Sequence, residues 1–256
     1  NNAAKWHFMF GGQSCVPFTI RLILGLGWGQ GPTHSQNLQS WFAHIPGLKV
    51  VMPATAQDAK GLLLSSIFDN NPVIFLEHRW LYALEGEVVE SDYRIEIGKA
   101  AIMRGGTDIT IVSMSYMTIE ALHACETLEK VNISCELIDL RTVRPIDWST
   151  IYSSVKKTGR LIVLDTGTKA LSVAGEIIAT VAEDCWEYLT MAPTRVAMPD
   201  SPEPTSFGLS REYYMDAVDI TIEVIRMLGR EDLLNTIDLN KRTPHDVPGD
   251  WFKGPF

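Results

Sequence analysis

GQGPTHSQNLQSWFAHIPGLKVVMPATAQDAKGLLLSSIFD, residues 29 to 69, passes from a glycine-rich loop through a helical pattern, a short β-branched run and a second helical pattern. Glycine stands at positions 25, 27, 29 and 31, which strips side chains from alternate positions of one run of backbone and lets it approach a ligand or another backbone closely. Thr33 with Gln36 three residues on reads as a capping box, so a helix is expected over Thr33–His44 with His34 as its first residue. Leu38, Trp41, Phe42 and Ile45 then fall on one apolar stripe. A histidine at the positive end of a helix has its charged form disfavoured, which suits proton exchange near neutral pH. The other reading, a surface or interface histidine that happens to follow a cap, stays open on spacing alone.

Outward from this stretch, apolar β-rich runs alternate with helical patterns. Strands are expected over Val16–Arg21, Lys49–Met52, Val73–Glu77, Ile109–Ser113, Ser134–Leu140, Leu161–Asp165 and Thr194–Ala197. Helices are expected over Thr55–Phe68, Met117–Val131, Trp148–Lys157, Ala174–Tyr188 and Tyr213–Leu228. Such alternation predicts an α/β chain with two three-layer α/β/α domains and mainly parallel sheets. The acidic, aperiodic stretch Glu85–Glu96 separates the two blocks. The expected division is 1–84, a linker at 85–97, 98–229, and a tail at 230–256 whose Trp251, Phe252 and Phe256 pack on this protein or a neighbouring subunit.

A net charge of -9 argues against nucleic acid as a partner, and no apolar run approaches the roughly 20 residues needed to cross a bilayer. Cys15, Cys125, Cys135 and Cys185 form no CxxC pair, so they read as reduced core thiols. Arg141 and Arg144, after a strand end, could grip an anion but are read as structural, pairing with acidic groups at a domain or subunit interface. Glu176 and Glu183 read as a solvated helix face opposite Ile177, Val181 and Trp186. Gly25 and Gly27 match half of a dinucleotide fingerprint without its acidic partner, a weak sign of NAD.

The run of NAAK at residues 2–5, HSQ followed by WFAHIPGLKVV, DAKGLL, DNNPVIFLE, IGKA, GTDITIVS, IDLRTVRPID and VKKTGRLIVLD, in this order, resembles the beta subunit of the E1 component of 2-oxoacid dehydrogenase complexes. The resemblance runs to about residue 228 and implies a partial pyrimidine-binding domain followed by a domain like the C-terminal domain of transketolase. It implies an oxidoreductase that decarboxylates a 2-oxoacid and passes the acyl group to a lipoyl group on the dihydrolipoyl acyltransferase, E2. Thiamine diphosphate and Mg2+ would be shared with an E1 alpha subunit in an α2β2 assembly containing a second beta chain. The compartment would be the cytoplasm, or the mitochondrial matrix in a eukaryote. His34 would orient or protonate the reacting group.

A structural K+ is implied at Phe18, Ser66, Ile67, Asp69 and Asn71, acting mainly through main-chain oxygens; the plainer reading of Asp69 and Asn70 is a helix end turning into a strand. In the family a preceding segment carries the activating glutamate and a stacking aromatic, so the resemblance implies that this stretch alone does not complete a thiamine site and that Asn1 marks the edge of a fragment. Leu22-Ile23-Leu24 stand where the family commonly has a GPxG turn, which suggests a more apolar channel. An acetoin-cleaving or sugar-phosphate thiamine enzyme, and a non-catalytic dimerisation and docking module, remain as alternatives.

Overall fold

The computed structural model describes residues 1–249 and Phe252. The chain runs α1 (Asn2–Met9), β1 (Thr19–Leu24), α2 (Gln39–Ala43), β2 (Lys49–Val51), α3 (Ala56–Ile67), β3 (Val73–His78), β4 (Ala101–Arg104), β5 (Ile109–Ser113), α4 (Tyr116–Glu129), β6 (Cys135–Asp139), β7 (Thr142–Arg144), α5 (Trp148–Thr158), β8 (Leu161–Thr168), α6 (Val173–Asp184), β9 (Thr194–Met198), α7 (Phe207–Ser210) and α8 (Ala217–Met227). Single 3-10 turns follow at Arg79–Leu81, Trp186–Tyr188 and Glu231–Asn235.

Two sheets form, in the orders β1-β3-β2-β7 and β4-β6-β5-β8-β9. Parallel pairing prevails; only β7 on β2 and β4 on β6 run antiparallel. Every residue of β5 and β6 is buried, which is what strands covered by helices on both faces require. The helices α3, α5, α6 and α8 start where short polar side chains cap them. Thr55 accepts from Asp58 N at 3.1 Å, Ser172 accepts from Gly175 N at 3.2 Å, and Asp216 with Asp219 closes a full capping box. Gly159, at φ 70°, ends α5 in the left-handed conformation that a side chain disfavours.

Several expectations are corrected. The helix expected over Thr33–His44 forms only over Gln39–Ala43, because the backbone and side chains before it find other partners: Gln36 Nε2 donates to Pro32 O at 3.3 Å instead of completing a box with Thr33. Phe42 and Ile45 pack on the core, whereas Trp41 of the expected stripe is 72% exposed. Leu22, Ile23 and Leu24 are not a loop but the end of β1, paired with Leu76, Glu77 and His78. The helix expected over Ala174–Tyr188 stops at Asp184, and Trp186 stands exposed rather than on its buried face. Cys15 is exposed, while Cys125, Cys135 and Cys185 are buried and unpaired. Phe252 packs beside Trp28 with ring centroids 4.8 Å apart; Trp251 and Phe256 lie outside the described residues.

The two halves share one core, in which Leu24, Val50 and Ile74 join Val112, Ile138 and Ala174. Polar contacts fix the junction. Arg141 Nη2 pairs with the Asp58 carboxylate at 2.7 Å, with the carboxylate almost fully buried. The Arg141 carbonyl accepts Met52 N at 2.8 Å, and its N–H reaches Asp139 Oδ1 at 3.1 Å, holding the residue at φ 58°. Gln39 Nε2 reaches across to Asp165 Oδ1 at 2.5 Å. Arg141 is thus structural; Arg144 is exposed. No described helix is long and apolar enough to cross a membrane.

Removing one member of a buried ion pair leaves an uncompensated charge. Arg141→Met is expected to lower unfolding free energy by about 3 kcal/mol, whereas Arg211→Met on the exposed surface changes it by less than about 0.5 kcal/mol; urea melts of both variants check this.

Candidate functional site

In open α/β sheets ligands approach the carboxyl ends of the strands. At that end of β1 and β3 the chain gathers the glycine loop, the His78-Arg79-Trp80 turn and Glu203 from the second half. Gly25, Gly27, Gly29 and Gly31 all have positive φ, between 69° and 116°, and Trp28 is forced to φ 34° with them. A Cβ on Gly27 would lie 2.7 Å from the Trp80 ring and 2.6 Å from Asp246 O, so only glycine fits there.

Arg79 organises the loop. Its Nη2 donates to His34 O at 2.9 Å, its Nη1 to Gln30 Oε1, and its Nε to Leu24 O at 3.4 Å, while its guanidinium lies 5.9 Å from the Trp28 ring centre. His34 consequently sits in a turn, with its N–H on Gly31 O at 3.3 Å and its side chain exposed. The main chain of His34 is held; a helix start does not hold it.

Behind the loop, His78 is fully buried, stacked on Tyr116 at 5.0 Å and edge-on to Trp80 at 5.8 Å. Burial first, and the Arg79 charge second, pull its pKa down to about 3, so the ring is neutral. Its Nδ1 accepts Trp80 N at 3.3 Å, which leaves the proton on Nε2, and Nε2 finds no hydrogen-bond partner among the described residues. Glu203 Oε1 accepts Gly27 N at 3.3 Å and the Tyr214 hydroxyl. Burial holds the Glu203 carboxyl above the usual range, opposed by those bonds and the Arg79 charge.

A cleft of about 260 Å³ opens beside this turn, lined by Pro53 to Ala56 at the start of α3, and by Glu77, His78, Leu81, Tyr82 and Leu84. Glu77 is neutralised by Arg21, which donates to both its oxygens at 2.8 Å. His34 does not line this cleft. Phe18, Ser66, Ile67, Asp69 and Asn71 come together, but at the other end of β1, whose six residues span about 20 Å. There Ser66 O accepts the Thr19 hydroxyl at 2.8 Å and Asp69 N at 3.3 Å, Phe18 O accepts Val73 N at 3.0 Å, and the Asp69 carboxylate takes Lys49 and Asn71 N. Among the described residues no three His, Cys, Asp or Glu side chains cluster as a metal site would need.

Arg79, His78, Glu203 and Trp28 were not singled out by the sequence. The signal available was a charged EHR directly after the apolar strand VIFL, at the ligand-facing end of the sheet.

Residues 1–85 match the family described as Transketolase, pyrimidine binding domain, and residues 98–220 the one described as Transketolase, C-terminal domain. The chain belongs to the transketolase-like E1 beta family. It is 45% identical over 220 residues to the acetoin:2,6-dichlorophenolindophenol oxidoreductase subunit beta of Cupriavidus necator, covering 86% of this chain and 65% of that one. The subunit of that name from Bacillus subtilis is 39% identical, with 91% and 68% covered. The pyruvate dehydrogenase E1 component subunit beta-1, mitochondrial, of Oryza sativa is 43% identical over 224 residues, with 86% and 60% covered. The chain thus spans roughly two thirds of the length of these curated relatives. A solved structure described as a split gene transketolase, an inactive beta4 tetramer, superposes with TM-score 0.68 over 89% of this E1 beta chain and 74% of its own, at 22% identity, which bears on the fold alone.

His78 must take up a proton on acid unfolding. Its folded pKa lies below its unfolded value of 6.5, so the stability tied to its neutral form is complete above pH 6.5 and is lost as the pH falls from 6.5 towards 3, at up to about 1.4 kcal/mol per pH unit. His78→Asn, whose amide oxygen can still accept Trp80 N, is expected to flatten that dependence in urea melts at pH 7 and pH 4.5.

Proposed function

We propose that this chain is the beta subunit of a thiamine-diphosphate-dependent 2-oxoacid dehydrogenase of the E1 type, working in an α2β2 assembly with an E1 alpha subunit and handing the acyl group to a lipoyl group on E2. The observation that carries the reading is the loop Gly25–Ser35 at the carboxyl end of β1: its glycines and Arg79 hold His34 at the surface where a second subunit can close over it. The identity to subunits named pyruvate dehydrogenase E1 beta supports it.

Thiamine diphosphate, when bound, supplies the carbon nucleophile and electron sink for decarboxylation. The residues present fit a half-site. Side-chain-free backbone and the Nε2–H of His78, unpartnered among the described residues, lie at the ligand-facing end of the sheet; Mg2+ and the diphosphate would be held by the alpha subunit. This chain's part is positional. Arg79 fixes the His34 carbonyl and thereby the direction from which the imidazole approaches; the ring, open to solvent in the single chain, accepts or donates a proton at a ring nitrogen when a lipoyl arm arrives. Trp28 and Leu26, packed against Trp80 and Tyr116, keep water from the underside of the loop.

K+ at Phe18, Ser66, Ile67, Asp69 and Asn71 belongs to the same proposal. Its support is the convergence of the end of α3 on the start of β1 through Thr19 and Ser66. Since the oxygens of Phe18 and Ser66 already accept protein donors, an ion there would share them. Its place lies away from the chemistry, so its effect is on stability. The acetoin-cleaving alternative is favoured by one specific observation, the 45% identity to an acetoin:2,6-dichlorophenolindophenol oxidoreductase subunit beta.

In the reconstituted heterotetramer, His34→Ala is expected to depress reductive acylation of a lipoyl domain about 100-fold while the melting temperature holds, since the side chain is exposed. Unchanged turnover removes the assignment. Calorimetric titration of thiamine diphosphate with and without the alpha subunit should show binding only with it, and assays on pyruvate and acetoin separate the two substrate classes.

A further inference from the structure

Residues 236–249 lie beyond the matched family domain, which ends at 220, and pack across both halves of the chain. We infer that this segment is a strap that holds the Gly25–Gly31 loop in its strained shape, with Arg242 and the main chain of Asp246 as positioning groups for His34.

The loop end of the strap is a backbone contact. Trp28 is a non-glycine residue at φ 34°, a conformation that persists only where surrounding structure imposes it. Its N–H donates to Asp246 O at 3.0 Å, and the same carbonyl fills the space beside Gly27. Gly27 N in turn donates to Glu203, which Tyr214 anchors. The loop is therefore held from the tail on one side and from the second half on the other.

The far end of the strap is an ionic anchor. Arg242 Nη2 donates to Glu120 Oε1 at 2.7 Å and to the Tyr116 hydroxyl at 3.0 Å, and Glu120 is only 1% exposed. Arg242 Nη1 closes the turn of the tail onto Pro248 O at 3.0 Å, which fixes the intervening Asp246. Lys241 adds bonds to Asp219 Oδ2 at 2.7 Å and Tyr214 O at 3.2 Å, and His245 Nε2 meets Ser210 Oγ at 2.9 Å. Tyr116, which Arg242 grips, is the ring on which His78 stacks, and His78 Cε1 would lie 3.0 Å from a Cβ on Gly25. From Trp28 the constraint passes through Arg79, which lies over its ring and holds Gln30 and the His34 carbonyl.

Only the catalytic consequence rests on the E1 beta reading; the strap is tested without cofactor or substrate, so either can fail alone. Hydrogen exchange is followed by mass spectrometry in the full chain, comparing loop peptides over residues 25–35 with peptides from β5 and β8. In the double variant Glu120→Gln/Arg242→Met, which leaves no unpaired buried charge, loop exchange should quicken about tenfold or more while β5 and β8 keep the parental rate. His245→Ala, which frees the same turn without touching the ion pair, should quicken the loop in the same direction, and Arg242→Lys should restore most of the protection. Loop exchange within about twofold of the parent in the double variant overturns the strap. Equal acceleration of loop and sheet peptides also overturns it, since a merely stabilising tail would give that result.

Discussion

A chain that must pass between an aromatic wall and another stretch of backbone can do so only where it carries no side chains on the crowded side. The alternation of glycine from 25 to 31 meets that condition, with Trp80 2.7 Å and Asp246 O 2.6 Å from the vacant Cβ position of Gly27. Everything at the ligand-facing end of the first sheet follows from this passage. It brings the loop close enough for Arg79 to reach Gln30 and the His34 carbonyl, and for Glu203 of the second half, anchored by Tyr214, to accept Gly27 N. Without the glycines the loop would stand off from β3 and the main chain of His34 would lose its anchor on Arg79.

The alternation of β-branched strands with capped helices was legible because parallel strands buried on both faces write themselves as apolar runs; β5, β6 and β8 follow the sequence closely. The helix start at Thr55 was legible for the same local reason, since the capping partners Thr55 and Asp58 belong to one turn. Thr33 and Gln36 carry an equivalent local signal and do not make a helix. There tertiary partners win: Arg79 takes the His34 carbonyl, and the buried Gln39 is drawn across the junction to Asp165. Leu22 to Leu24 misled as a departure in a loop, because family likeness suggested a turn where β-propensity favoured a longer strand. Glu203 and Arg242 were illegible in principle. Each acts through a residue tens of positions away, and no local spacing encodes such a pairing.

The junction between the halves is electrostatically costly and so is tightly specified. Asp58 and Arg141 are paired with little water, while Asp139 beside them, pushed up to about 7 by burial, spends much of its time uncharged at neutral pH. Arg141 sits in a left-handed backbone conformation that its own bonds to Asp139 and Met52 maintain. Such a site favours one mutual placement of the halves over nearby ones, because a small slide would leave charges without counterparts.

β7 gives this placement a longer consequence. Residues 142–144 come from the second half of the chain, yet they close the edge of the first sheet against Val50 and Val51. The two halves are therefore not interchangeable cassettes. A recombinant that borrowed the first half from one relative and the second from another would inherit a hybrid edge, and a gene divided near residue 90 would yield a leading fragment whose raw β2 invites aggregation until its counterpart arrives.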